Sequence, residues 1–399
     1  MKKEMYSSEV TLLRDTFRRL LRRHAKTNIV KLLDKTHPSD LALIFRYFND
    51  NEQDSIFSNM LPSEETVKFL YELDESIATR LIEGETAERL AEIMQQASSN
   101  EQAFLMGLVS DDFASSVIDL LQTEEQEELE EMMAYPEDSA GTLMYTDVFT
   151  LHEDTKAREA IYALQDQEDA EMVFYLYTLD DDGRLTGVIS LRDLVTTPSE
   201  TMLKDIMSKN IQAVRAETDQ EEVARIVSQY NFLAVPVVDA SEKLLGIVTV
   251  DSVVDVIREE ATEDFLQLAG AGKDREILLK SSWENARIRL PWLFASWIGG
   301  ILAAFIIGVF DNILESTIAL AAFIPVIIGM GGNVGTQSST IIVRGLATGR
   351  VSFENSIKVL FKEMRVGLIL GTLYGVLLGV FAIFQFINVS PLLGVVVGL

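Results

Sequence analysis

The sequence has no cysteine in its 399 residues, so no disulfide holds the fold and the redox compartment stays open. Histidine is almost as scarce, with His24, His37 and His152 scattered along the chain, and no glycine-rich phosphate loop follows a strand pattern. These absences argue against an enzyme. The N-terminus has no apolar run behind its lysines, so we expect no secretory signal and a cytoplasmic N-terminus.

Positive charge is also scarce, with 34 basic residues against 62 acidic ones. Only seven basic and four acidic residues lie from Ala286 onward, so the first 285 residues carry a net charge of −31. Such a surface repels nucleic acid and attracts multivalent cations, although acidic surfaces also serve solubility alone. We therefore expect divalent cations as partners, and no nucleic acid.

The N-terminal part of the chain contains a segment, 37–135, that repeats with a period of 24 residues. Helix-start signals recur at His37, Leu61, Glu85 and Val109. The same frame aligns two sets of apolar residues, namely Phe45, Phe69, Ile93 and Val117, and Phe57, Leu81, Leu105 and Leu129. This pattern predicts an α-solenoid N-domain over 37–135. Residues 1–36 are predicted to hold one amphipathic helix, over 9–36, with a basic, solvated face at Arg18, Arg19, Arg22 and Arg23.

A second repeat, of about 60 residues, covers 136–200 and 201–257. Gly187-Val-Ile-Ser-Leu-Arg-Asp193 recurs as Gly246-Ile-Val-Thr-Val-Asp-Ser252, and each copy predicts strand, helix, strand, turn, strand, helix. The two copies resemble a pair of CBS domains, which commonly regulate an attached protein and often bind adenosine nucleotides. The resemblance implies a ribose-binding element at Ser190 and Asp193, with ATP as a possible ligand. The second copy departs from this element at Ser252.

An acidic segment over 258–286 is predicted to be a connecting helix. Glu260, Glu263 and Asp264 fall at i, i+3 and i+4, hence on one helix face, where like charges destabilise a helix unless a cation neutralises them. Their oxygens suit a divalent ion. The alternative is an exposed acidic face without a ligand.

The remaining segment, 287–399, is predicted to be an α-helical transmembrane domain. Three apolar runs are long enough to cross a bilayer, at 290–310, 317–346 and 366–389, and a fourth run begins at Leu392. Basic residues precede the first run and follow the second, which places both of these ends in the cytosol, while Asp311 and Glu315 would lie outside.

The second apolar run contains a glycine-rich motif from Pro325 to Gln337. Asn333 and Gln337 are one helical turn apart and would offer neutral oxygen dipoles to a hydrated cation. The motif therefore predicts a permeation path, with Gly331, Gly332 and Thr336 beside the two amides. The alternative is a small-residue surface for helix packing, with the amides bridging helices.

The order of these parts, together with the Gly-Gly-Asn333-x-Gly-x-Gln337 element, resembles the MgtE magnesium transporter family along the whole chain. The resemblance implies a homodimeric, multi-pass, Mg²⁺-selective channel of the cell membrane with five spans per subunit, so this chain is interpreted as C-terminally truncated. It also implies that Mg²⁺ is both transported and regulatory. Cytosolic Mg²⁺ would draw the acidic domains together and hold the connecting helix, called the plug, in the closed position.

The family's Mg²⁺ sensor is carried over residue by residue, onto Asp111, Asp112, Glu221, Asp255, Glu260, Glu263 and Asp264. At Asn231 and Ser252, where the family can place Asp, this sequence has neutral side chains. We therefore expect weaker divalent binding at those two positions.

Two other function classes are considered. One is a non-conducting, membrane-anchored module that senses Mg²⁺ or an adenosine nucleotide and acts on a partner. The other is an anion channel with CBS domains, which fits neither the helical solenoid nor the acidic connector.

Overall fold

The computed structural model describes residues 2–166, 174–272, 277, 280–310, 318–347, 351, 356–385 and 392–399. The chain divides into two compact units, Met1–Ile257 and Arg258–Leu399. Residues 311, 315, 317 and 386–389, on which some of the sequence predictions fall, lie outside the described residues.

The first unit begins with two helices where the sequence predicted one over 9–36. They are α1 (Lys2–Arg22) and α2 (Lys26–Leu33). Between them His24 has a left-handed backbone with φ 50°, and its N–H donates to the carbonyl of Leu21. This arrangement satisfies carbonyl groups at the end of α1 and stops the helix. The apolar repeat of the sequence could not show this break.

Eight short helices then follow in the predicted 24-residue frame. They are α3 (Pro38–Phe45), α4 (Asp50–Phe57), α5 (Glu64–Tyr71), α6 (Glu75–Glu83), α7 (Ala87–Met94), α8 (Ser99–Gly107), α9 (Asp111–Ile118) and α10 (Thr123–Met133). All eight apolar positions predicted from the repeat are buried, at 3% exposure or less. The prediction of a helical solenoid is thus confirmed.

The CBS pair consists of two copies of one α/β unit. The first holds α11 (Ala140–Leu143), β1 (Thr150–His152), α12 (Ala157–Asp166), β2 (Tyr175–Leu179), β3 (Leu185–Ser190) and α13 (Leu191–Thr196). The second holds α14 (Leu203–Ile206), β4 (Val214–Arg215), α15 (Gln220–Tyr230), β5 (Ala234–Val238), β6 (Leu244–Thr249) and α16 (Val250–Leu268). In each copy the first two strands are parallel and the last two antiparallel. The predicted order of strands and helices is confirmed.

The segment after the solenoid joins it to the second CBS copy. Tyr145 and Ile247 exchange two backbone hydrogen bonds, of 2.8 and 2.9 Å. The Glu128 carboxylate accepts from the hydroxyls of Ser99, at 2.7 Å, and Thr146. Burial raises the pKa of the Tyr145 phenol above its usual value. The solenoid and the second CBS copy therefore share one continuous polar and apolar junction.

The second unit contains the apolar helices. They are α17 (Ser282–Val309), a 3₁₀ helix (Ile318–Phe323), α18 (Ile324–Ala347), α19 (Ser356–Gln385) and α20 (Leu392–Gly398). Three helical segments are long and apolar enough to cross a membrane: Ser282–Val309, Ile318–Leu346 and Ile357–Gln385. Helix α19 begins ten residues before the predicted span at 366. Its first turns carry charged residues, which lower the local hydropathy and therefore were not counted as part of a membrane span.

The predicted connecting helix over 258–286 is shorter in the structure. Helix α16 passes through the acidic segment and ends at Leu268, and α17 starts only at Ser282. Gly270 and Gly272 have φ values of +69° and +80°, which side chains rarely adopt. A Cβ on Gly270 would also collide with the indole of Trp292. The two glycines thus end the helix and allow the turn to lie against α17.

Candidate ion pathway and cation sensor

The predicted pore motif lies on one continuous helix, α18. Asn333, Thr336 and Gln337 are all exposed within the single chain. For the four motif glycines, no atom of another described helix lies within 4 Å of the position that a Cβ would take. They are Gly329, Gly331, Gly332 and Gly335. Within the part of the chain that the structure describes, these four glycines thus lie on an open face of α18.

A cavity of about 600 Å³ lies beside this motif, between α18, α19 and α20. Gly331 and Val334 of α18 line one side, and Gly371 and Tyr374 of α19 line the other. The lining is almost entirely apolar. The cavity therefore offers few oxygen atoms that could bind a cation.

The sequence analysis missed one acidic residue next to the pore motif. Ser338 follows Gln337 directly, and its hydroxyl donates to the Glu363 carboxylate at 2.8 Å. Glu363 is half-buried on α19. In the sequence, Glu363 lies among Lys358, Lys362 and Arg365. The net charge of this group is positive, so the group was interpreted as a basic segment next to a membrane span. A carboxylate within a helix of the membrane unit would have been the available signal.

The acidic connector is only partly exposed. Glu263 is 9% exposed, and its carboxylate accepts from the side-chain amide of Gln267 at 3.4 Å. Asp255, Glu260 and Asp264 are half-buried on the same helix, α16. The alternative of a fully exposed acidic face therefore does not describe Glu263. Burial of a carboxylate is costly unless protons, hydrogen bonds or a cation balance its charge.

The other predicted sensor residues lie on separate elements of the first unit. Asp111 and Asp112 form the first turn of α9, and Glu221 lies in the first turn of α15; all three are exposed. Among the described residues, no group of three or more acidic or histidine side chains is positioned to hold a metal ion. A single copy of the chain thus carries the predicted ligands without bringing them together.

The two neutral positions have structural roles of their own. Asn231 ends α15 with φ +54°, a left-handed conformation that asparagine tolerates well. Ser252 is 8% exposed, its hydroxyl lies 3.3 Å from that of Thr249, and it also bonds to the Tyr145 phenol. Ser252 thus belongs to the junction between the solenoid and the CBS pair.

The candidate ribose-binding elements of the two CBS copies differ in exposure. Ser190 caps α13: its hydroxyl accepts from the Asp193 N–H at 3.1 Å and donates to the Asp193 carboxylate at 2.7 Å. Asp193 is exposed and so remains accessible. Thr249 and Ser252, at the matching positions, are both buried. The first copy alone therefore presents this element to solvent.

Comparison with known families divides the chain as its structure does. Residues 36–138 match the MgtE intracellular N domain, residues 140–200 and 203–259 each match the CBS domain, and residues 324–399 match the family described as divalent cation transporter. The segment of α18 that carries the motif falls inside the last match.

Two curated relatives extend this likeness over most of the chain. The magnesium transporter MgtE of Bacillus subtilis is 32% identical over 355 residues, which cover 88% of this chain and 78% of the relative. That of Thermus thermophilus is 38% identical over 285 residues, covering 71% of this chain and 61% of the relative. The chain thus spans less than two thirds of the second relative.

Solved structures agree with the fold of the first unit. The cytosolic domain of the Mg²⁺ channel MgtE, crystallised in complex with ATP, is 31% identical with a TM-score of 0.58, and the match covers 61% of this chain and 99% of that chain. Domain order, sequence identity and cytosolic fold agree, and the chain therefore belongs to the MgtE family of divalent cation transporters.

Proposed function

We propose that this protein is a subunit of a Mg²⁺ transporter of the cell membrane whose acidic cytosolic part senses Mg²⁺ and closes the pore. The observation that carries the proposal is the polar face of α18, where Asn333 and Gln337 are exposed on a helix that is long and apolar enough to cross a membrane. Amide oxygens can replace some of the water around a cation without neutralising it. Thr336 and the backbone near Gly331 and Gly332 complete this path.

The acidic cytosolic part supplies the sensor in this proposal. Its carboxylates repel one another, and Mg²⁺ bound between elements removes that repulsion. A ligand shifts a conformational equilibrium only by its difference in affinity for the two states. Mg²⁺ therefore favours the compact arrangement in which Asp111, Asp112 and Glu221 approach acidic partners, and α16 carries this change towards the membrane unit.

Assembly as a homodimer and lack of catalysis belong to the same proposal. The predicted sensor residues do not meet within one described chain, so a second copy is a natural source of missing ligands. The apolar helices of the membrane unit also expose large side chains, such as Trp297 and Phe305, to the surroundings. Lipid, further helices or a second copy must cover these surfaces.

A nucleotide site at the first CBS copy is proposed as well. The related cytosolic domain was crystallised with ATP, and here Ser190 and Asp193 present hydroxyl and carboxylate groups at the exposed start of α13. Asp193 would accept from a ribose hydroxyl. Since Thr249 and Ser252 are buried, we assign no such site to the second copy.

The sensor is tested by limited proteolysis of the segment 257–289 in the purified protein across a Mg²⁺ titration, with K⁺ holding ionic strength constant. Protection should increase with Mg²⁺ and saturate, because a bound cation fixes α16 in one arrangement. The paired change Glu260→Gln and Asp264→Asn should raise the Mg²⁺ concentration at half-protection about tenfold, as expected for the loss of charged ligands.

The matched control removes two carboxylates elsewhere. Asp181 and Asp182 lie in the turn between β2 and β3, and their side chains are 99% and 68% exposed. Asp181→Asn with Asp182→Asn should leave the half-protection concentration unchanged. Equal shifts in both variants, or no protection in the unmodified protein, would mean that the negative charge is only a solvated surface.

Glu363 gives a second test, within the membrane unit. Glu363→Gln keeps the side-chain shape and removes the charge that Ser338 positions, so Mg²⁺ uptake should fall by roughly tenfold, the effect of losing one charge-assisted contact. Ser338→Ala should give a smaller loss in the same direction. Ser339→Ala, at the adjacent exposed position, should transport normally. Normal uptake by Glu363→Gln would remove this residue from the ion path.

A further inference from the structure

The positive charge of the cytosolic part is concentrated at its very start. Residues 1–35 carry ten basic and four acidic residues, whereas residues 36–285 carry 17 basic and 54 acidic ones. The two parts therefore have opposite signs, with net charges of +6 and −37. An anionic surface would be repelled by most of the cytosolic part and attracted to this segment alone.

Helix α1 presents part of this positive charge to solvent on one of its sides. Its apolar side is fixed by Phe17, which is fully buried and lies 6.3 Å from the Phe48 ring, measured between ring centroids. The opposite side therefore faces solvent. Arg19, Arg22 and Arg23 lie there at the C-terminal end of α1, and all three are exposed. The apolar side of α1 already packs against the solenoid. It is therefore not available to insert into a membrane or to bind another protein.

The arginines of α1, together with Arg23 directly after it, fall into two groups. Arg18 donates to the Tyr47 carbonyl at 2.5 Å and lies 3.5 Å from the Glu52 carboxylate, so it belongs to the packing of the domain. Arg14 pairs with the neighbouring Asp15 at 2.9 Å. Within the described residues, Arg19, Arg22 and Arg23 have neither an ion pair nor a side-chain hydrogen bond. We name these three the arginine face.

The arginine face lacks the usual centre of a protein interface. Leu12, two turns earlier on the same side, is the one large apolar residue of α1 that is strongly exposed among the described side chains. Stable protein interfaces have an apolar core of several residues, surrounded by polar ones. Attraction to the arginine face must therefore come from charge, and guanidinium groups bind phosphate oxygens through paired N–H donors.

We propose that the arginine face docks on the anionic lipid headgroups of the membrane that contains the apolar helices of this same chain. Two observations favour this occupant. The arginine face is complementary in charge to an anionic lipid surface, and the three helices long enough to cross a bilayer tether it permanently near one. The highly acidic remainder cannot make this contact, so docking orients the solenoid with the end of α1 towards the lipid. This orientation acts beside the Mg²⁺ sensor and does not depend on transport.

The proposal is tested by energy transfer in the full-length chain, reconstituted into nanodiscs. Because the protein has no cysteine, Thr27→Cys on the exposed start of α2 gives one labelling site close to the arginine face. The acceptor is a dye on a lipid headgroup. Transfer should be high in discs of phosphatidylcholine with phosphatidylglycerol, low in discs of phosphatidylcholine alone, and lost at high salt.

The decisive variant is the triple change Arg19→Gln, Arg22→Gln and Arg23→Gln. It should reduce the docking equilibrium on the order of a hundredfold, at roughly fivefold per charge removed. The matched control removes three exposed basic residues of the CBS pair, as Lys209→Gln, Arg215→Gln and Lys243→Gln, and should keep full transfer. Circular dichroism verifies that both variants keep their helix content.

Three results would overturn the proposal. Equal transfer in neutral and anionic discs would show that the lipid charge is irrelevant. An equal loss of energy transfer in both triple variants would show that docking depends on the net charge of the protein and not on the arginine face. High transfer in neutral discs that only the arginine variant abolishes would mean that the arginine face binds an acidic protein surface. None of these results bears on whether the protein transports Mg²⁺, because the measurement uses no ion flux.

Discussion

Asn333→Ala is expected to lower Mg²⁺ uptake by roughly tenfold to a hundredfold, the range for losing one uncharged partner of an ion. Asn333 is exposed on α18, one turn before Gln337, and we propose that its amide oxygen holds a hydrated cation. Uptake is measured in cells that depend on the protein for Mg²⁺.

The control for Asn333 is a polar residue on another apolar helix. Thr372 lies on α19, and its hydroxyl bonds to the Leu368 carbonyl within the same helix. Thr372→Ala should therefore leave uptake and ion selectivity unchanged. If Asn333→Ala transports as well as the unmodified chain, the assignment of α18 as the ion pathway is wrong.

Gly246→Ala is expected to destabilise the cytosolic part by about 3 kcal/mol, which combines overpacking with a weakened backbone bridge. An ideal Cβ at Gly246 would lie 2.5 Å from the carbonyl oxygen of Tyr145. That oxygen already accepts from the Ile247 N–H, so it cannot retreat without breaking the bridge. For a unit of about 250 residues, this change corresponds to a fall in Tm of about 10 °C.

The matched control is another glycine without this constraint. Gly107 ends α8, and nothing lies within 4 Å of the position that its Cβ would take. Gly107→Ala should be neutral or stabilise by up to about 1 kcal/mol, because alanine favours the helix. Thermal unfolding of residues 1–257, followed by circular dichroism, compares the two variants. A Tm for Gly246→Ala equal to that of the unmodified fragment would show that the backbone around Tyr145 can move away from the added methyl group without loss of stability.

Much of the fold could be read from local patterns. The 24-residue frame identified eight core positions, from Phe45 to Leu129, because stacked helical pairs repeat one burial pattern. The CBS copies were recognisable since alternating strands and turn glycines are local signals. Helix ends were less predictable: His24 breaks the first helix through a backbone conformation that no apolar pattern encodes.

Some residues of the candidate site could also be identified from sequence, and others only from the structure. Asn333 and Gln337 could be selected from sequence, because amides inside an apolar run are rare and cost energy unless they have a role. For Glu363 the sequence offers one signal, a carboxylate within a helix of the membrane unit. Its partner, the Ser338 hydroxyl 25 positions earlier in the chain, is found only in the structure. Likewise, the sequence predicts weak divalent binding at Ser252, and only the structure shows that the Ser252 side chain bonds to the Tyr145 phenol.

The sequence by itself determined the order of domains, the apolar helices, the segregation of charge and the family. These features depend on composition and on periods of 2, 3.6 and 24 residues, which are properties of neighbouring positions. The tertiary structure decided which polar groups meet: Glu363 with Ser338, Glu128 with Ser99, and Tyr145 with Ile247. It also decided which arginines of α1 are used in packing and which remain exposed, because contacts between distant segments arise only when the chain has folded.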